Sequence, residues 1–217
     1  MRSLIYVPIV HTELDMGSLA GRLEDVYRAR FGAAKWEERV RTIREVWRGI
    51  EGRISALKIN LGRVKVYQDG LPVCGREEEI VRDLARQGSL NHRLVAQLMD
   101  RGAKLMGTES PELLLREYRL VKSQLGGGAE ESATGAAGTE KNAQTTLQDR
   151  DRFIARRIEE TLAEGETGVL FMGFAHEVHR YLSDSIKVQF LIHRLPFGKD
   201  FGLRGKRDDR RGDGEGE

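Results

Sequence analysis

Gly168–Met172 (GVLFM) carries no charged or polar side chain. A strand with one wet face alternates apolar and polar residues. A strand without alternation is expected to be covered on both faces, which restricts the fold to a sheet between helices. The residues before it support this. Phe153, Ile154, Ile158 and Leu162 fall on one face of a 3.6-residue period and predict a helix. Gln148 and Asp149 are placed to start that helix, and Gly165 to stop it. Beyond the strand Gly173 lets the backbone turn, and His176 follows at once. Open α/β sheets place their sites just past the ends of buried strands.

The same pattern opens the chain. Leu4–Val10 (LIYVPIV) predicts a strand in which Pro8 marks a bulge or an edge segment, and His11 ends it. Gly17-Ser18 opens a helix that Gly32 breaks, and Ala33–Leu57 continues as a long helix through Trp36, Val40, Ile43, Val46, Trp47 and Ile50. Val64–Tyr67 is a short strand broken by Gln68-Asp69-Gly70. Helices follow over Glu77–Arg86, after Ser89 as N-cap, and after Ser110-Pro111 as far as Leu125. Residues 126–143 are Gly, Ala, Ser, Thr and Glu with one Lys and one Asn and no aliphatic residue larger than alanine, and are expected to be a flexible insert. Ser185–His193 alternates as a final strand, and 198–217 read as a disordered charged tail. The order β–α–α–β–α–α–α–linker–α–β–α–β predicts a single α/β domain over 1–197. Its sheet is expected to be mostly parallel or mixed, with helices on both faces.

Composition bounds the function. Lys+Arg 36 against Asp+Glu 34 nearly cancel, and no basic run is interleaved with aromatics, so no nucleic-acid partner is expected. No apolar run approaches a membrane span, so none is expected at a membrane. The one cysteine, Cys74, allows no internal disulfide and no cysteine-rich zinc site; it reads as a buried or inert thiol, and a cytoplasmic location fits. The remaining partners are a small-molecule or peptide substrate and, through a face carrying Trp36 and Trp47, a homo-oligomer; that face serves equally as core.

His11 and His176 carry the chemistry. If their strands are parallel neighbours, both imidazoles emerge on one sheet edge, as ligands for a divalent metal (Mn, Co or Zn) or as general bases. Asp69, past a third strand, would add a carboxylate, and two histidines with a carboxylate suffice for a metal-activated water. The bland reading makes each histidine a satisfied strand-end residue. Arg150 and Arg152 would hold an anionic group or stabilise an oxyanion, with solvated charge as the default. Asp151 reads as a complement to the helix dipole. Gly107-Thr108-Glu109 reads as a turn, and His92, His179 and His193 as residues without a named role.

Arg150-Asp151-Arg152, the helix after it, Val169–Met172 and Gly173–His176 together resemble the C-terminal signature of the TraB/Tiki/GumN family, within the erythromycin esterase/ChaN-like superfamily. That signature runs from an Arg-Asn-Arg-like helix start to an apolar strand and Gly-x-x-His. The family's N-terminal strand also ends in Gly-x-x-His, where this chain has Pro8-Ile9-Val10-His11. Its second strand ends in glutamate, where this chain has Tyr67-Gln68-Asp69. The resemblance implies a compact α/β fold and metal-dependent hydrolysis of peptides or esters by His11 and His176. Other members have binding or regulatory roles, so the alternative is a non-enzymatic protein that keeps the fold and binds a small ligand.

Overall fold

The computed structural model describes residues 1–12, 15, 17, 20–126 and 133–193, with backbone alone at 124–126 and 133–140. Its elements are β1 (Arg2–Ile9), α1 (Ala20–Phe31), α2 (Ala33–Ser55), β2 (Val64–Gln68), α3 (Glu77–Arg86), α4 (Leu90–Asp100), β3 (Lys104–Met106), α5 (Pro111–Gly126), α6 (Ala133–Thr161), β4 (Thr167–Gly173) and β5 (Ile186–Phe190). The five strands form one sheet in the order β3-β2-β4-β1-β5, and every ladder is parallel. This is the expected single α/β layer with helices on both faces.

Strand alternation divides the core. Ile5, Val7, Ile9, Val169 and Phe171 turn to one face, where Ile43, Val46, Trp47 and Ile50 of α2 and Leu94, Val95 and Leu98 of α4 cover them. Leu4, Tyr6, Leu170 and Met172 turn to the other, against Ile154, Ala155, Ile158 and Leu162 of α6. β4 is buried along almost its whole length because it lies between β2 and β1 with helices above and below. Both tryptophans belong to the core: Trp36 is 8% and Trp47 2% exposed, and the Trp47 indole N–H donates to the Val10 carbonyl at 3.0 Å.

Pro8 sits inside an internal strand, not at an edge. Leu191 N donates to Tyr6 O on the β5 side of β1. Pro8, two residues on, faces the same side, beyond the last residue of β5, so its missing N–H leaves no gap in a ladder.

Other departures have physical reasons. β3 is three residues at a sheet edge, too short for a hydrophobic period, and the sequence reading passes over it. The expected helix between β4 and β5 is a single 3-10 turn, Val178–Tyr181. α6 begins at Ala133, well before Gln148, because alanine, glutamate, lysine and glutamine extend a helix without needing a buried face. Residues 127–132 of the expected insert and the whole of the expected tail lie outside the described residues. Cys74 is exposed rather than buried. No described helix is long and apolar enough to cross a membrane.

Candidate functional site at the carboxyl edge of the sheet

β2, β4 and β1 are consecutive in a parallel sheet, so their carboxyl ends open on one edge. Asp69 follows β2, His176 lies three residues past β4, and His11 follows β1. The structure brings all three together. His11 Nε2 is 3.1 Å from Asp69 Oδ2, and His176 Nε2 is 3.8 Å from the same oxygen. The Gly173 backbone N–H donates to Oδ2 at 2.9 Å. A β-carbon on Gly173 would lie 3.0 Å from that oxygen and 3.1 Å from His11 Nε2, so a side chain there would push the two strand ends apart.

Arg150 closes the cluster from below. Its guanidinium donates to Asp69 Oδ1 at 2.9 Å, to both oxygens of Glu109 at 2.6 Å, and to Glu117 Oε1 at 2.6 Å. The Arg150 side chain is 5% and Glu109 0% exposed. Gly70 N donates to Glu109 Oε1 at 2.7 Å, so Glu109 also fixes the turn that carries Asp69. Four of its five N–H donors are taken by three carboxylates, so Arg150 holds the site in shape. Arg152 is not in the site. Two residues further along α6, it points outward to Asp149 at 3.3 Å and over the Tyr181 ring.

Asp151 has a role that the dipole reading missed. Because α6 starts at Ala133, Asp151 lies deep within the helix, 3% exposed. Its Oδ1 accepts from His176 Nδ1 at 2.5 Å, and its Oδ2 accepts the Glu177 backbone N–H at 2.8 Å. A carboxylate only accepts, so Nδ1 carries a proton, and Nε2 lies on the Asp69 side of the ring. The Tyr6 hydroxyl holds the other end of His176, donating to its carbonyl at 3.1 Å.

Protonation follows from these contacts. Burial pushes Asp69 up, but the His11 hydrogen bond and the charges of His176 and Arg150 overcome it and hold the carboxyl well below the usual range. Burial lowers both histidines, and the carboxylates more than offset it: Asp69 raises His11, and Asp151 with Asp69 raises His176. Burial, with Asp151 and Asp69 nearby, raises the Tyr6 phenol, which stays a donor.

The other histidines lie elsewhere. His179 stacks edge-on against Tyr6 and Phe190, with ring centroids 5.8 and 5.2 Å away. The His193 ring lies against Gly49 of α2. His92 belongs to a second cluster: Ser89 Oγ donates to Asp15 Oδ1 at 2.7 Å and lies 2.7 Å from His92 Nδ1. Glu109 and Asp151 were both visible as acidic residues, but what gives them their roles is tertiary contact with Arg150 and His176. The only local signal was Glu109 next to a glycine turn.

Two imidazole nitrogens and a carboxylate oxygen are the donor types of a divalent-metal site. Their 3.1 and 3.8 Å separations bracket the spacing of about 3.3 Å that follows from tetrahedral bonds of 2.0–2.1 Å. The set is not closed around an ion as it stands, since Asp69 is already bonded to Arg150, Gly173 and His11. No group of three or more His, Cys, Asp or Glu is arranged as a metal site among the described residues. Comparison with family models, with curated proteins and with solved structures found no match to this chain.

Proposed function

We propose that the chain is a hydrolase of esters or peptides in which His176 activates water. The observation that carries this reading is the Asp151–His176 pair, at 2.5 Å, with Nε2 on the side of the Asp69 oxygen that His11 also meets. A base oriented by a buried carboxylate is the usual means of placing a lone pair for proton abstraction. The water oxygen adds to the substrate carbonyl carbon while its proton passes to His176 Nε2. As the C–O or C–N bond breaks, that proton goes to the leaving group. Protonated His11, the more exposed imidazole at 35%, donates to the developing oxyanion. Asp69 and Arg150 fix where the two rings stand.

The donor set fits a divalent ion in kind, and Mn, Co or Zn held by His11, His176 and Asp69 would polarise the carbonyl and acidify water. His176 then has the carboxylate behind its ring that metal-ligating histidines usually have. The resemblance to TraB/Tiki/GumN proteins supports the same reading, since its Gly-x-x-His falls on Gly173–His176. A small-molecule or peptide substrate remains the proposed partner, with a homo-oligomer and a cytoplasmic setting as parts of the same proposal.

The test is hydrolysis of p-nitrophenyl esters and dipeptides by the full chain, with chelator and with added Mn, Co or Zn. His176→Ala is expected to lower turnover by about 10²–10⁴. Asp151→Asn lowers kcat more than it raises KM, because Asp151 positions the base and touches no substrate. Absence of hydrolysis under every metal condition, in a protein with an intact circular dichroism spectrum, would overturn the reading. Activity that survives His176→Ala would do so too.

A further inference from the structure

A cavity of about 460 Å³ opens beside His11, between α1, α2 and the end of β1. That is within the roughly 300–1,000 Å³ of small-molecule sites. Its walls are mainly Leu23 and Tyr27 from α1, Trp36 and Ile43 from α2, Phe174 from the turn before His176, and His11 itself. Arg39 also reaches this wall, but its guanidinium lies 5.4 Å over the Tyr27 ring.

Two features show that this space is not a packing accident. Leu23 and Tyr27 are four residues apart, on one face of α1, yet α1 has no buried residue. An amphipathic helix normally presses that face onto a core, and interiors close to crystalline density. Here the helix leans over open volume instead. Phe174 is 70% exposed, two residues before a histidine that is 8% exposed. A large ring left open at the mouth of a reactive cleft is a surface awaiting cover.

We propose that the cavity holds an apolar chain or ring attached directly to the carbonyl presented to His11 and His176, so that the substrate is an ester or amide of a hydrophobic acid. His11 lines the cavity and also meets the Asp69 oxygen on the side of His176, so an acyl group lying along Leu23, Tyr27 and Trp36 delivers its carbonyl end to His11, at the edge of the cluster. The identity of the reacting bond rests on the hydrolytic reading above; occupancy of the cavity does not.

The acid product tests the two separately. Calorimetric titration of the full chain with sodium butyrate, hexanoate and octanoate is expected to show affinity rising about fourfold per methylene. Leu23→Trp fills the cavity from α1, outside the core, and is expected to weaken octanoate at least tenfold. Val26→Glu, on the exposed side of the same helix, leaves octanoate binding unchanged. Octanoate binding no tighter than butyrate overturns the proposal, as does octanoate binding indifferent to Leu23→Trp. Comparing p-nitrophenyl octanoate with the acetate, and octanoyl p-nitroanilide with its acetyl counterpart, separates ester from amide. Leu23-dependent octanoate binding in a protein that hydrolyses neither keeps the cavity assignment and removes the hydrolase. Hydrolysis with equal kcat/KM for acetyl and octanoyl groups does the reverse.

Discussion

His92 and His176 each meet a carboxylate through Nδ1, and each is almost fully buried, yet the surroundings of the two rings differ. In the first cluster Ser89 is wholly buried as the N-cap of α4, and its hydroxyl proton goes to Asp15 at 2.7 Å. His92 Nδ1 is left to donate to that same hydroxyl oxygen. Serine, histidine and aspartate are all present, but the serine's hydroxyl proton goes to Asp15 and so is not passed to the histidine. In the second cluster the carboxylate lies behind the ring, and Nε2 lies on the side of Asp69, whose Oδ2 also meets a partly exposed histidine that lines a cavity. The same residue types therefore give a clamp in one place and a candidate reaction centre in the other. What separates them is which valences remain open after the local hydrogen bonds are made. The clamp has its own use: Asp15 also takes the Thr12 N–H at 2.7 Å and so ties down the segment after His11.

This contrast can be broken from either side. The largest effect is expected at Arg150→Met, which strips the guanidinium from buried Asp69 and Glu109. Loss of one partner from such a group costs about 3–5 kcal/mol, measured by urea unfolding. A loss under about 1 kcal/mol would mean that packing, not charge, holds the open cluster. Next is Ser89→Ala, which removes a helix cap and the bridge between Asp15 and His92. Stability is expected to fall by about 1–2 kcal/mol, with turnover on ester substrates little changed. A collapse in turnover like that of His176→Ala would erase the distinction between the clusters. The smallest effect concerns acid. Burial pushes the Asp15 carboxyl up, but hydrogen bonds from His92, Ser89 and the Thr12 N–H carry it below its ordinary value. Its contribution is therefore fully present above about pH 4, the unfolded value, and is lost as pH falls through the folded one. The gap in thermal midpoint between the parent and Asp15→Asn should be open at pH 7 and should narrow as pH falls below about 4. A gap that stays constant with pH would show that Asp15 acts by shape alone.

The open cluster was partly legible in the sequence, and the clamp was not. His11, Asp69 and His176 each stand just beyond an apolar run, and in a parallel sheet such positions share one edge, so strand ends alone bring them together. Arg150 stood out beside them, but its role changed. No local pattern reports that three carboxylates from different elements converge on it, one of them Glu109 in a turn that looks ordinary. Arg152, two residues away, looked equivalent and faces solvent. Asp151 was misjudged because the start of α6 was placed too late; a residue in a first turn answers to the dipole, whereas one deep in a helix answers to whatever packs there. His92 had no visible partner because Asp15 lies in a different connection and meets it only across the fold. β3 escaped notice because three edge residues bury too little to leave a period.

The ladder of β1 has a consequence for how this chain comes into being. Its hydrogen-bonding neighbours are β4 and β5, more than 150 residues further along, while β2 and β3 pair elsewhere. An apolar strand thus leaves the ribosome well before either strand it pairs with and must wait for them before it has an edge to join. High sequence separation of this kind slows folding and leaves sticky segments uncovered meanwhile. His11 follows β1 and His176 follows β4, so the two meet only when that pairing is made. A chain interrupted before β4 would carry the whole Asp15–Ser89–His92 cluster but no His176, and its exposed apolar strand would mark it for chaperones or proteases.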